Sequence, residues 1–295
     1  MDYDREGFVT ARDGTRLFYG DRGVGEPGRP TLVLCDGVGC DGFAWHYLQP
    51  YFAERYRVLH WHYRGHGRSG PPVDRARIGI TDLADDLGVL LDALGVHRAV
   101  LLGHSMGTQV ALERYRNAPD ETLALALLCG SYGQVTETFH GSDVLARVLP
   151  TVLEQVDRYA SVARALWSHV PSGLAYRIAR WSGEVDGATI REDDFRRYWD
   201  HVSIVDPDVF LRMLHAAGEH SAEALLPEVA APTLVVSAER DTFTPPALAA
   251  RLAERVQRGE LFVLRGASHA APVEQPDAVN LRIEKFLDDV LPSSA

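Results

Sequence analysis

The segment LLGHSMG, residues 101–107, closes an apolar run with a serine that has a glycine two residues away on each side. Gly103-His104-Ser105-Met106-Gly107 fits G-x-S-x-G, the pattern of a sharp strand-to-helix turn that presents a hydroxyl from a strained backbone. Neighbouring chain passes close to such a turn, so side chains at 103 and 107 would obstruct it. The turn needs a buried strand before it and a helix after it. RAVLLG (98–103) reads as the strand, and a helix is predicted from Met106 to about Asn117.

The same alternation extends in both directions. A hairpin is predicted in GFVTARDGTRLFYG, with Asp13-Gly14 at its turn. TLVLC (31–35) precedes a helical stretch from about Phe43 to Phe52, and RVLHW (57–61) precedes ITDLADDLGVLLDALG, whose Leu83, Leu87, Leu90, Leu91 and Leu94 share one helical face. LALALLC (123–129) follows the serine turn; PTLVVSAE (232–239) and ELFVLRG (260–266) are each followed by a helix, the last running from about Gln275 to Val290. Continuous apolar strands separated by helices predict an α/β fold, a mostly parallel, doubly wound sheet covered on both faces. From Ser131 to about Leu226 the rhythm changes to helical segments carrying Trp167, Tyr176, Trp181, Tyr198, Trp199, Phe210 and Met213. A block of roughly 95 residues is too long for a connecting loop, so the expected division is a sheet core from 1–130 and 227–295 with a helical cap inserted at 131–226.

Composition narrows the partners. The chain has 295 residues, and its 41 acidic against 30 basic residues leave a net charge of -11, which repels phosphate backbones and anionic membrane faces. The expected partner is a small-molecule substrate, with no nucleic acid and no membrane; oligomeric state is left open. The N-terminus has no apolar segment behind a basic start, and no stretch approaches the roughly 18 apolar residues of a membrane helix. Cys35, Cys40 and Cys129 lack metal-ligand spacing, and the two that end apolar runs read as small hydrophobes; a reduced, cytoplasmic protein is expected. No cofactor and no metal are expected.

A serine hydroxyl is a weak nucleophile until a base takes its proton, so a histidine and an orienting acid are required. TLVVSAE runs into RDTFTPP, which places Asp241 at a strand's C-terminal end, and LFVLRGASHAAP places His269 just past the next strand. Asp241 alone could serve as a helix cap and His269 as a loop histidine, each the lesser reading, and their order after the serine and after two strands favours the catalytic one further. Glu239 is the rival acid and His104 the rival base. The latter is Ser105's immediate neighbour and cannot easily fold back onto its hydroxyl.

On these motifs the chain resembles the α/β-hydrolases with a helical cap over nearly its whole length. The resemblance implies Ser105 as nucleophile, Asp241 as acid and His269 as base, with an oxyanion hole from the backbone N–H groups of Met106 and, in CDGVGCDGFAW, Val38. Gly37, His104, Trp167 and Trp181 are the candidate substrate contacts. Two departures stand out. Asp36-Gly37 replaces the His-Gly with which many relatives begin this loop, so its anchoring hydrogen bonds must be made differently. HYRGHGRSG (62–70) resembles the family's D-x-R-G-x-G-x-S stretch but has His62 where aspartate is common; His62, Arg64 and His66 read as structural.

A serine at 105 argues against the haloalkane dehalogenases and epoxide hydrolases of this family, which use aspartate. The single lysine, Lys285, lies in the last helix and argues against hydroxynitrile lyase chemistry. Hydrolysis of a carboxylic ester, lactone or thioester through an acyl-enzyme remains, with carbon–carbon bond hydrolysis and cofactor-free perhydrolysis as variants on the same triad. A slow-turnover small-molecule receptor is the alternative outside catalysis.

Overall fold

A computed structural model describes residues 1–26, 28–133, 142–182, 185 and 190–291, apart from the side chains of Trp181 and Ser182. Eight strands form one sheet: β1 (Arg5–Thr10), β2 (Arg16–Arg22), β3 (Thr31–Cys35), β4 (Val58–Trp61), β5 (Ala99–His104), β6 (Thr122–Leu128), β7 (Thr233–Ala238) and β8 (Gly259–Leu264). Their spatial order is β1-β2-β4-β3-β5-β6-β7-β8. The hairpin partners β1 and β2 are antiparallel, as are β2 and β4, and every other neighbouring pair is parallel. Gly14, at the hairpin turn, has φ 91.

Alternation along the central strands divides the core between the two faces. Val33, Leu101, Leu125, Leu127 and Val235 join one cluster, while Leu32, Leu34, Val100, Leu102, Ala126 and Val236 join the other. On the first face lie α2 (Ile80–Ala93), α3 (Gly107–Asn117) and α9 (Pro246–Arg255); on the second lie α1 (Leu48–Phe52) and α10 (Pro276–Val290), which brings Ile283, Phe286 and Leu287. The helix expected over 43–52 is split: a 3-10 turn at Phe43–Trp45 precedes α1. Pro50 accounts for the late start, since a residue without N–H is tolerated only in a helix's first turn.

Between β6 and β7 the described chain contains α4 (Val144–Arg158), α5 (Ala160–Ser168), α6 (Ser172–Ser182), α7 (Glu192–Val202) and α8 (Pro207–Glu219). The neck of this insertion is tied where Ala222 N–H donates to Tyr132 O at 2.7 Å and Gly133 bridges Ser221. Helix α8 joins the insertion to the first-face core through Val209, Met213 and Ala217. A third cluster brings Ala175 and Ala179 of α6 and Phe195 of α7 together with Cys40, Phe43, Ala270 and Val273. The insertion therefore packs on the two loops that follow β3 and β8. No helix among the described residues is long and apolar enough to cross a membrane.

The turn after β4 is fastened by a buried charge cluster. Arg64 donates Nε and Nη2 to Asp86 of α2 at 2.8 and 2.7 Å, and Nη1 to Asp13 of the hairpin and to the Arg77 carbonyl. Removing the guanidinium leaves a buried carboxylate unpaired, so Arg64→Met is expected to lower the unfolding free energy by about 3–5 kcal/mol. Urea denaturation measures it, and a midpoint equal to the parent's would refute this role for Arg64.

Candidate active site

The elbow follows from close packing. Ser105 has φ 54, a left-handed conformation costing of order 1–3 kcal/mol for a residue with a side chain, and its N–H donates to Leu128 O at 3.0 Å. A Cβ at Gly103 would lie 2.5 Å from Gly107 O, and one at Gly107 would overlap the carbonyls of Cys35 and Asp36. The two motif glycines let the start of α3 pass against both its own strand and the end of β3. A third glycine outside the motif, Gly130, has its missing side-chain position occupied by Thr108 Oγ1.

The three residues expected to act together converge. His269 Nε2 lies 2.9 Å from Ser105 Oγ, and His269 Nδ1 lies 2.9 and 3.1 Å from the two oxygens of Asp241. An ionised carboxylate only accepts, so Nδ1 carries the proton and Nε2 is left to accept from the serine hydroxyl. Asp241 does not cap α9. The cap position is Pro245, and Asp241 instead closes the turn after β7 by accepting from Phe243 N–H, Thr244 N–H and the Thr244 hydroxyl at 2.9, 2.9 and 2.7 Å. Burial raises its pKa, but His269 and the Thr244 hydrogen bonds outweigh burial and hold it below the ordinary carboxylate value. The rival acid, Glu239, accepts from Gly266 N–H at 2.8 Å and serves the turn after β8.

The loop carrying His269 is pinned from two sides. Glu274 accepts from Ser268 N–H at 2.7 Å and from the Ser268 hydroxyl at 2.5 Å. His104 Nε2 donates to His269 O at 3.1 Å. His104, the expected substrate contact, is 3% exposed and sits between Gly37, where a Cβ would lie 3.4 Å from its Nδ1, and His269, with ring centroids 5.2 Å apart. There it holds the base's loop. Burial, then the neighbouring His269, lower its pKa to about 4, so it stays neutral.

The proposed oxyanion loop lies directly against the nucleophile. A Cβ at Gly37 would be 3.2 Å from Ser105 Cβ, which explains the glycine there. Among the described residues, the backbone N–H groups of Val38 and Met106 have no acceptor. The departure from His-Gly is met by other anchors: His60 Nε2 sits 2.8 Å from Asp36 Oδ2, the Tyr63 hydroxyl donates to Asp36 O at 2.8 Å, and Gly39 N–H donates to His66 Nε2 at 3.1 Å. His62 Nδ1 accepts from Arg68 N–H at 2.8 Å. His62 and His66 thus shape turns, and among the described residues no three His, Cys, Asp or Glu side chains converge as a metal site.

Trp167 donates Nε1 to Val202 O at 2.8 Å and packs on Phe210, with ring centroids 5.3 Å apart. The Phe210 ring in turn abuts Gly39, so Trp167 reaches the oxyanion loop through one intervening ring. The Trp181 side chain lies outside the described residues.

Residues 30–276 match the family described as alpha/beta hydrolase fold. The chain belongs to the α/β-hydrolase family, and it is an enzyme. Among curated relatives it is 25% identical to the "Putative carbamate hydrolase RutD" of Klebsiella pneumoniae subsp. pneumoniae over 266 residues, covering 90% of this chain and 94% of that one. It is also 25% identical to the bifunctional esterase/perhydrolase DCH of Acinetobacter calcoaceticus over 285 residues, 95% of this chain and 99% of that one. The enol-lactonase of Burkholderia xenovorans LB400 superposes with a TM-score of 0.76 at 22% identity over 96% of this chain and all of that one, a likeness of fold.

Sequence reasoning missed Thr244, Glu274, Gly130 and the partners of Asp36. Glu274 follows His269 in the same short segment, so a carboxylate within reach of that loop was a readable signal. Thr244 lies three residues from Asp241 in one turn and was equally local, whereas Gly130 and the partners of Asp36 make their contacts only through the tertiary fold.

Two expectations follow. Asp241→Asn keeps an oxygen for the Phe243 and Thr244 amides but favours the wrong His269 tautomer, so kcat/KM should fall roughly 10²- to 10⁴-fold with the thermal midpoint nearly unchanged. Near-parental kcat/KM would exclude Asp241. His66 and His104 both have pKa values lowered to about 4, by burial in each case and also by His269 in the second. Their unfolded values near 6.5 are higher, so the unfolded chain binds more protons and stability should fall with pH from about 6.5 toward 4, by up to ~1.4 kcal/mol per pH unit for each. Urea midpoints that stay flat across that range in the parent would contradict burial of both rings in neutral form.

Proposed function

We propose that this enzyme is a serine hydrolase that cleaves a carboxylic ester, lactone or thioester of a small, largely apolar substrate through an acyl-enzyme. The observation that carries the reading is the unbroken line from Ser105 Oγ through His269 to Asp241, with Gly37 of the loop that carries Val38 packed against Ser105. His269 Nε2 takes the serine proton as Oγ attacks the acyl carbon, and Asp241 stabilises the imidazolium that results. The Met106 and Val38 amides receive the oxyanion of the tetrahedral intermediate. His269 then gives its proton to the leaving oxygen or sulfur. Water deprotonated by the same nitrogen releases the acid and restores Ser105.

Residues 1–130 and 227–295 act as the catalytic core in this reading, and 131–226 as the cap that selects the substrate. The apolar cluster shared by α6, α7 and the two site loops supports that role for the cap, as does the Trp167–Phe210 pair against Gly39. The names of the relatives, a carbamate hydrolase, an esterase/perhydrolase and an enol-lactonase, support acyl transfer as the class.

Ser105→Ala is expected to lower turnover of short-chain p-nitrophenyl esters by about 10³-fold or more with folding intact, measured by initial rates and circular dichroism. A variant within tenfold of the parent would exclude Ser105 as the nucleophile.

A further inference from the structure

Asp36 carries an imidazole–carboxylate pair that the triad does not use. Its Oδ2 lies 2.8 Å from His60 Nε2, and His60 Nδ1 lies 2.7 Å from the Tyr3 hydroxyl. Asp36 and His60 are 1% and 0% exposed, so neither meets substrate and the pair is not a second catalytic dyad. What the pair does touch is the loop. Asp36 is the residue before Gly37, its carbonyl is held by Tyr63, and its position fixes where the chain leaves β3 for Val38.

The directions of the hydrogen bonds follow from the groups. Burial, and then the Asp36 charge, raise the Tyr3 phenol well above its ordinary range, so it stays protonated and donates to His60 Nδ1. His60 Nε2 then carries the proton that Asp36 accepts. The chain runs one way, from the segment before β1, across β4, to the loop after β3. Gly42, at φ 100, completes the contact: a Cβ there would strike Met1 and lie 3.1 Å from the His60 ring, so the loop packs on the same N-terminal segment at its other end.

We propose that Tyr3, His60 and Asp36 are positioning residues that set the Val38 amide of the oxyanion hole, the N-terminal segment acting as a strap over the loop. The proposal rests on the serine-hydrolase reading. Asp36 Oδ1 has no partner among the described residues, so His60 supplies the hydrogen bond that this carboxylate does have.

The test uses p-nitrophenyl acetate for turnover and phenylboronic acid, which forms a tetrahedral adduct on an activated serine, for oxyanion-hole quality. Tyr3→Phe removes one hydroxyl from a half-buried residue and leaves the ring. It should lower kcat and boronate affinity by the same factor, about tenfold, with KM within about twofold; this is less than the loss of a whole oxyanion donor. Asp36→Leu should lose about 100-fold or more in both, and Asp36→Asn, which keeps an oxygen for His60, should recover most of that loss. Tyr3→Phe with a lowered thermal midpoint but parental kcat and boronate affinity would overturn the proposal and leave Tyr3 a stability contact. A parent chain whose Ser105 is neither phosphonylated by a fluorophosphonate nor bound by the boronate would instead overturn the hydrolase reading on which it rests.

Discussion

The passage of α3 against the end of β3 is the constraint on which the site depends. Gly107 lets the helix backbone meet the carbonyls of Cys35 and Asp36, and no other residue fits there. Because that approach is so close, the left-handed Ser105 is brought against Gly37, and the first turn of α3 lies beside the loop after β3. Ser105 and the loop that carries Val38 are thereby held together by backbone packing rather than by flexible side chains. The strain at Ser105 is balanced by the packing that holds it, including the Ser105 amide on Leu128 O.

Asp241 and His269 reach the site by different means. Asp241 is set by its own tight turn, whose amides and the Thr244 hydroxyl fix both carboxylate oxygens. His269 sits on a longer loop and needs outside supports, which Glu274 and His104 supply. The insertion between β6 and β7 packs on that loop and on the end of the oxyanion loop through Phe43, Phe195 and Val273. Helices α6 and α7 therefore share one apolar cluster with both loops.

Much of this was legible because it is local. The strands beginning at Thr31 and Thr233 are short apolar runs bounded by turn residues, and the G-x-S-x-G turn names its own strand and helix. Asp241 and His269 could be read because each lies a few residues beyond such a run. The split of the expected 43–52 helix was signalled by Pro50 but needed the fold to place it. The Tyr3–His60–Asp36 line could not be read: its members are 57 and 24 residues apart and meet only because β2 places the N-terminal segment beside β4. The bond from His104 to the His269 carbonyl could not be read either, because the two residues are 165 apart in the chain. Phe210 was visible only as one of many cap aromatics, although it is the ring that touches Gly39.

The central claim is that Ser105 becomes covalently acylated during turnover. Rapid mixing with p-nitrophenyl acetate, acid quenching and mass spectrometry of the digested chain would test it most directly. The account predicts a mass increase of about 42 Da, one acetyl group, on the peptide containing Ser105, appearing with a burst of p-nitrophenol and absent from Ser105→Ala. Steady hydrolysis with no burst, no modified peptide and equal turnover by Ser105→Ala would contradict it.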